Sequence, residues 1–265
     1  MRTAGRAALV LVGVLIAAAI LMPPRATGPS KTVRPFLLYY GGVPDPPTSA
    51  QAVRLARRMR GYPVVVLGLA SHLPAFARQV RRLLPHTLFY GYADTGHVSF
   101  AHVAGRLALL HRIGLQGVLL DDVGTGLSAH AAALRRIVLL AHREGLRVIL
   151  NAWDPRDVLH LPLLAGRDAV LCENWVYSGG RWAQPRAADV YAALRTLQRR
   201  GILVFMIVTT KGVPSGAAPA RAAISATARA EFGDYLSLSD PVYSADSDAI
   251  FPAGNLRREL THLAF

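Results

Sequence analysis

Residues 114–151 read GLQGVLLDDVGTGLSAHAAALRRIVLLAHREGLRVILN. Two short and almost wholly apolar runs, GVLLDD and RVILN, flank an amphipathic segment over 128–144 that Gly145 closes. Apolar runs without alternation suit strands buried on both faces, as in parallel sheets, and parallel neighbours need a crossover between them. The stretch therefore reads as one strand–helix–strand unit with a right-handed crossover.

The same unit recurs on both sides. Strand-like runs occupy 36–40, 63–68, 87–92, 117–121, 147–151, 169–173, 202–208 and 235–239. Helix-like segments occupy 49–60, 74–84, 100–113, 128–144, 185–200, 219–232 and 254–262, while the connection over 155–164 is too short for a clear helix. Gly61, Gly114, Gly145 and Gly201 stand where helices end and a left-handed residue is favoured. Eight strand–helix units predict an α/β fold, a single (β/α)8 TIM barrel. An open doubly wound sheet is the rival, but YYGGVPDPP after the first strand lacks the GxGxxG turn of a dinucleotide site.

Composition narrows the function classes. With 265 residues, 52% of them hydrophobic and 17% charged, the chain has the material for a large core and cannot be disordered. Cys172 is the only cysteine, which excludes a disulfide scaffold and a multi-cysteine zinc site. The net charge is +14 and rests on arginine, since only Lys31 and Lys211 are lysine. The arginines are scattered through the helical segments without a long basic tract, so no nucleic-acid partner is expected. Arg2 and Arg6 precede an uninterrupted apolar run over 7–22, followed by Pro23-Pro24-Arg25. Residues 1–24 thus read as a signal peptide or membrane anchor, 25–32 as a linker and 33–265 as the barrel. The expected location is secreted or on the outer face of the cytoplasmic membrane, the expected state a monomer.

Barrels of this type place their chemistry at the C-terminal ends of the strands. Those ends carry Tyr39, Tyr40, His72, Tyr92, Asp94, His97, Asp121, Asp122, Asn151, Trp153, Glu173, Trp175, Tyr177 and Asp240. Aromatic rings beside carboxylates and amides suit sugar rings, whose C–H faces stack and whose hydroxyls hydrogen-bond. Tyr39, Tyr40, Tyr92, Asp94, Asp122, Asn151, Trp153, Trp175, Tyr177 and Asp240 are the expected substrate contacts. Asp121 and Glu173, ending the fourth and sixth strands, form a two-carboxylate pair suited to glycosidic cleavage. Plainer roles compete: Asp122 suits a turn or helix cap, and Asp154-Pro155 and Asp240-Pro241 suit turn starts.

Three segments, GLQGVLLDDVG (114–124), EGLRVILNAWDP (144–155) and DAVLCENWVY (168–177), resemble glycoside hydrolase family 114. That family comprises endo-α-1,4-polygalactosaminidases and spherulin-4-like TIM-barrel glycosidases. The resemblance implies an exported or anchored, retaining glycoside hydrolase acting on a polysaccharide without cofactor or metal. It makes Asp121 the nucleophile, Glu173 the acid/base and Asn151 a sugar-hydroxyl contact. Gln116 stands where the family carries an acid and Asp122 where it often carries Asn. A chain at +14 also repels a polycationic galactosamine polymer, so the implied reaction class does not extend to that substrate. Two alternatives stand beside it. One is a barrel that binds glycan or cell-envelope polymer without turnover. The other is a metal-dependent hydrolase built on Asp121, Asp122, His72 and His97, which has no HxH or HExxH spacing behind it.

Overall fold

The computed structural model describes residues 34–39, 49–68, 74–173, 177–178, 181–182, 188–209 and 235–239. Eight strands are parallel: β1 (Arg34–Tyr39), β2 (Val64–Leu67), β3 (Leu88–Asp94), β4 (Gly117–Val123), β5 (Arg147–Ala152), β6 (Ala169–Glu173), β7 (Leu203–Thr209) and β8 (Tyr235–Ser239). Each pairs with the next in sequence and β1 pairs with β8, which curls the sheet into a closed, TIM-barrel-like wall. Helices α1 (Ser49–Met59), α2 (Pro74–Leu83), α3 (Phe100–Arg112), α4 (Ala131–Arg143) and α5 (Ala188–Arg199) follow β1 to β4 and β6.

The near-continuous apolar strands are explained by two packed layers. One side of each strand faces the barrel interior, where Phe36, Val66, Tyr90, Leu119, Ile149, Leu171 and Phe205 are buried together. Phe36 and Phe205 meet edge to face with centroids 4.9 Å apart. The other side, including Val65, Phe89, Val118, Leu120, Val148 and Val204, packs against Phe76, Leu107, Leu110, Ile137 and Leu194 of the helices. Leu119 and Leu120 are neighbours in sequence, both fully buried, one in each layer. Each such leucine contributes about 2 kcal/mol through burial.

Helix ends follow their local chemistry. Ser99 caps α3 by accepting from His102 N at 3.2 Å. At its far end Gly114 takes φ 79° and its N–H donates to His111 O at 2.8 Å, a turn that penalises any residue with a Cβ. At the end where strands begin, Asp168 is wholly buried and binds three elements at once. It accepts from His142 Nε2 of α4 at 2.8 Å, from Val148 N of β5 at 3.0 Å and from Leu164 N at 2.8 Å.

Two features differ from the sequence expectation, the start of α4 and a hairpin after β6, while the short connection over 155–164 lacks an α-helix as its length implied. Residues 126–129 form a 3-10 turn, so α4 starts at Ala131 rather than at 128. Between β5 and β6 there is no α-helix but a 3-10 turn, Pro155–Val158, capped by Asp154 accepting from Arg156 N at 2.9 Å. A short antiparallel hairpin, Tyr177–Ser178 with Arg181–Trp182, was not legible as strand. The expected signal or anchor, the linker and the helices over 219–232 and 254–262 lie outside the described residues. No helix among the described residues is long and apolar enough to cross a membrane.

Candidate functional site

Strand parity carries alternate side chains up the inside of the barrel to its C-terminal mouth. Tyr90 is followed on the same face by Tyr92 and Asp94, Leu119 by Asp121, and Ile149 by Asn151. The β3–β4 register sets Tyr92 beside Leu119 and Asp94 beside Asp121. Asp121 is thereby flanked by donors from both neighbouring strands. Tyr92 Oη donates to its Oδ2 at 2.8 Å and Asn151 Nδ2 to its Oδ1 at 2.7 Å. Each carboxylate oxygen keeps a second lone pair for a ligand.

Tyr92 is half-buried, and desolvation, followed by the charge of Asp121 and the hydrogen bond to it, holds its phenol well above the usual tyrosine range. It therefore stays a donor to Asp121 at any ordinary pH. Beneath it the buried Arg106 of α3 donates from Nε to Tyr92 O at 2.9 Å, and burial pulls its guanidinium down to about 10.

A regular strand would send Asp122 to the opposite face from Asp121. Instead β4 is irregular here: the pairing with β5 shifts register between Leu120 and Val123, and Asp122 sits at φ 54°. It is the one non-glycine residue with positive φ among the described residues, and such a bulge re-aims side chains at a strand end. Burial, then the charges of Asp121 and Asp94, raise the Asp122 carboxyl from its ordinary value. His97 and a hydrogen bond with the Trp153 side chain oppose that shift. Trp153 itself is 65% exposed, the most open large apolar side chain among the described residues.

The loops that hold this geometry carry residues the sequence reading did not single out. Thr95, wholly buried, donates to Asp121 O from both N (3.0 Å) and Oγ1 (2.6 Å). Asp94 Oδ1 accepts from Gly96 N at 2.7 Å, which turns the chain after β3. A Cβ on Gly96 would stand 2.9 Å from Asp122 Cβ and from Thr125 Oγ1, and one on Gly126 would stand 1.5 Å from Gly96 O. The only signal for these positions was the pair of turn-like strings DTG and DDVGTG after two strands.

Of the expected contacts, Tyr92, Asp94, Asp121, Asp122, Asn151 and Trp153 come together at the mouth. Tyr39 does not: it is 2% exposed and packs in the layer between sheet and helices, because its parity in β1 is that of Leu37. The backbone of Glu173 ends β6 beside Ile207, and that of Tyr177 lies in the hairpin; their side chains are outside the described residues. Tyr40, His72, Trp175 and Asp240 are also outside them. The metal reading on Asp121, Asp122, His72 and His97 gains no support: among the described residues no three His, Cys, Asp or Glu side chains are grouped to hold an ion.

No family model matches the chain, and no curated protein matches it. Solved structures do. A dipeptide epimerase from Cytophaga hutchinsonii, complexed with Mg and the dipeptide D-Ala-L-Val, is similar at 13% identity and TM-score 0.54, over 81% of this chain and 54% of that one. One from Methylococcus capsulatus, complexed with Mg ion, is similar at 15% identity and TM-score 0.54, over 84% and 61%. One from Enterococcus faecalis, complexed with Mg and L-Leu-L-Tyr, is similar at 13% identity and TM-score 0.51, over 84% and 62%. The match thus spans less than two thirds of each epimerase, and at such identity the likeness is one of fold.

These findings correct the resemblance to glycoside hydrolase family 114 and everything it implied about activity. No model of that family matches, and the similar structures named are epimerases rather than glycosidases. The reason is physical. A hydrophobic run ending in an acid is what a buried parallel strand with a polar C-terminal mouth looks like, whatever the reaction there. The three segments reported the barrel and not its chemistry.

Proposed function

We propose that the chain is an enzyme that transfers protons at a carbon next to a carbonyl group in a small polar substrate, the chemistry of isomerases and epimerases. The observation that carries this reading is the pairing of two adjacent carboxyls in different surroundings. Asp121 is clamped by Tyr92 and Asn151, while Asp122 is pushed toward its protonated form. Two neighbouring carboxyls with different partners can serve as base and acid. Asp121 takes the proton through its remaining lone pairs. Asp122 returns one. Tyr92 and Asn151 keep Asp121 aimed, and the open face of Trp153 covers the apolar part of the substrate. The shared fold with dipeptide epimerases favours a substrate bearing a carboxyl or amide carbonyl.

The Mg of those epimerases is not carried over to this chain. Asp94 Oδ1 is committed to Gly96 N, and among the described residues no three His, Cys, Asp or Glu side chains are grouped to hold an ion. The described residues alone do not supply a cation's ligand set. A full strand–helix complement beyond the described helices, and export or anchoring through residues 7–22, complete the proposal; the basic-then-apolar order of residues 1–24 supports the latter.

The test is solvent exchange. The protein is incubated in heavy water with amino acids, dipeptides, and hydroxy and keto acids, and proton NMR follows loss of the signal at the carbon beside the carbonyl. Exchange on one substrate class, abolished in Asp121→Asn and reduced in Asp122→Asn with circular dichroism unchanged, is the expected result. Exchange that survives in Asp121→Asn, or none on any substrate, overturns the proposal.

A further inference from the structure

We propose that the base of the barrel, the end where its strands begin, is a docking surface for an anionic lipid bilayer. Every described helix hands the chain to its next strand within a few residues, so all five helix C-termini gather at that end. The exposed side chains there include six arginines: Arg57 and Arg58 of α1, Arg82 of α2, Arg112 of α3, Arg143 of α4 and Arg199 of α5, all in a last helical turn.

A cation at a helix C-terminus is favoured by the helix dipole, which accounts for an arginine at each of these helix ends. It does not account for the missing acids. The sequence has no Asp or Glu between Asp45 and Asp94 and none between Asp94 and Asp121. Among the described residues, the acids at the base are Glu144, half-buried, and Asp168, wholly buried and bonded to His142. The opposite mouth holds Asp94, Asp121 and Asp122. Charge is therefore sorted along the barrel axis, with the positive end away from the chemistry.

The partner follows from where the chain enters. β1 begins at Arg34 on this end, and the apolar run over 7–22 precedes it in sequence. An apolar stretch and a basic surface in one chain are the two elements that together hold proteins on anionic bilayers, where neither suffices alone. Guanidinium groups also match lipid phosphates geometrically. The arginines are spread over five helices around the base, and no single helix presents them as a run to a nucleic-acid groove.

Flotation of the full-length protein with phosphatidylcholine vesicles, with and without phosphatidylglycerol, tests this. Phosphatidylglycerol should raise the bound fraction, and rising salt should remove the gain. Replacing Arg57, Arg82, Arg112 and Arg143 by Gln should cut the gain by about tenfold or more, and replacing them by Lys should preserve it. The matched set Arg54→Gln, Arg78→Gln, Arg135→Gln and Arg195→Gln removes equal charge from exposed positions outside the last turns, and should leave most of the gain. If the four-fold Gln variant fails to fold by circular dichroism, the doubles Arg57→Gln/Arg82→Gln and Arg112→Gln/Arg143→Gln carry the same test. Equal binding to both vesicle types, or equal loss in both sets, overturns the proposal. So does tighter binding to duplex RNA than to phosphatidylglycerol vesicles at equal phosphate.

Discussion

At φ 54° Asp122 holds a backbone conformation that most residues avoid, and its carboxyl is pushed up by burial and by Asp121 and Asp94. An acid whose folded value lies above its unfolded one stabilises the fold while protonated. That contribution is present below the ordinary carboxylate range and is lost as pH rises through the raised value. Asp122→Asn should therefore melt above wild type at about pH 7.5 and no higher than wild type at about pH 3. Thermal melts at both pH values check it, and equal offsets at the two would show that the charge is not what strains the site. The same variant should be slower in proton exchange, the usual trade at a strained catalytic position. Tyr92→Phe removes one of the two clamps on Asp121 and should cost about tenfold to a hundredfold in exchange rate while leaving the fold intact. Asp121 itself was legible, because GVLL runs straight to it. Its partnership with Asp122 was not, since a bulge depends on the β4–β5 register rather than on any local string.

Elements were read well wherever an apolar run or an amphipathic stripe was long. All eight strands fall where hydrophobicity placed them, and the five described helices match to within a few residues. The failures share a cause: tertiary contacts set the chain against its local pattern. Residues 128–130 carry helix-compatible sequence, but the preceding turn is pinned where Gly126 meets Gly96 O, so α4 starts late. Any side chain at Gly126 would drive those backbones apart, and Gly126→Ala should cost about 2 kcal/mol or more in urea unfolding. After β5 no helix is needed, because Asp168 ties Leu164, β5 and α4 together directly. Asp168→Asn leaves those donors facing an amide and should cost about 3 kcal/mol, read as a lower urea midpoint at unchanged slope. A changed slope would point instead to loss of cooperativity in the barrel wall.

For the molecule as a whole, the order of strand and helix was enough to reach the barrel but not its reaction, since one barrel supports many chemistries. Asp121 and Asn151 stand at the barrel mouth because they end buried strands; the sugar assigned to them came from the aromatic and carboxylate residue types there and from the resemblance, and neither fixes a reaction. The chain divides into two units, Met1–Lys31 and Thr32–Phe265. Every barrel strand and every residue of both buried layers belongs to the second, from Arg34 onward. A protein starting at Thr32 should therefore fold, with a thermal midpoint within about 2 °C of the full chain. It would lose four basic residues and no acid, falling from +14 to +10, while keeping all the arginines at the barrel base. Its vesicle binding should then separate the two contributions. Attachment to pure phosphatidylcholine should disappear with the apolar run, and salt-sensitive attachment to phosphatidylglycerol should persist at reduced strength. A truncated protein that melts well below the full chain would make the leading segment part of the fold, and one that folds but ignores phosphatidylglycerol would leave the arginine base without a lipid partner.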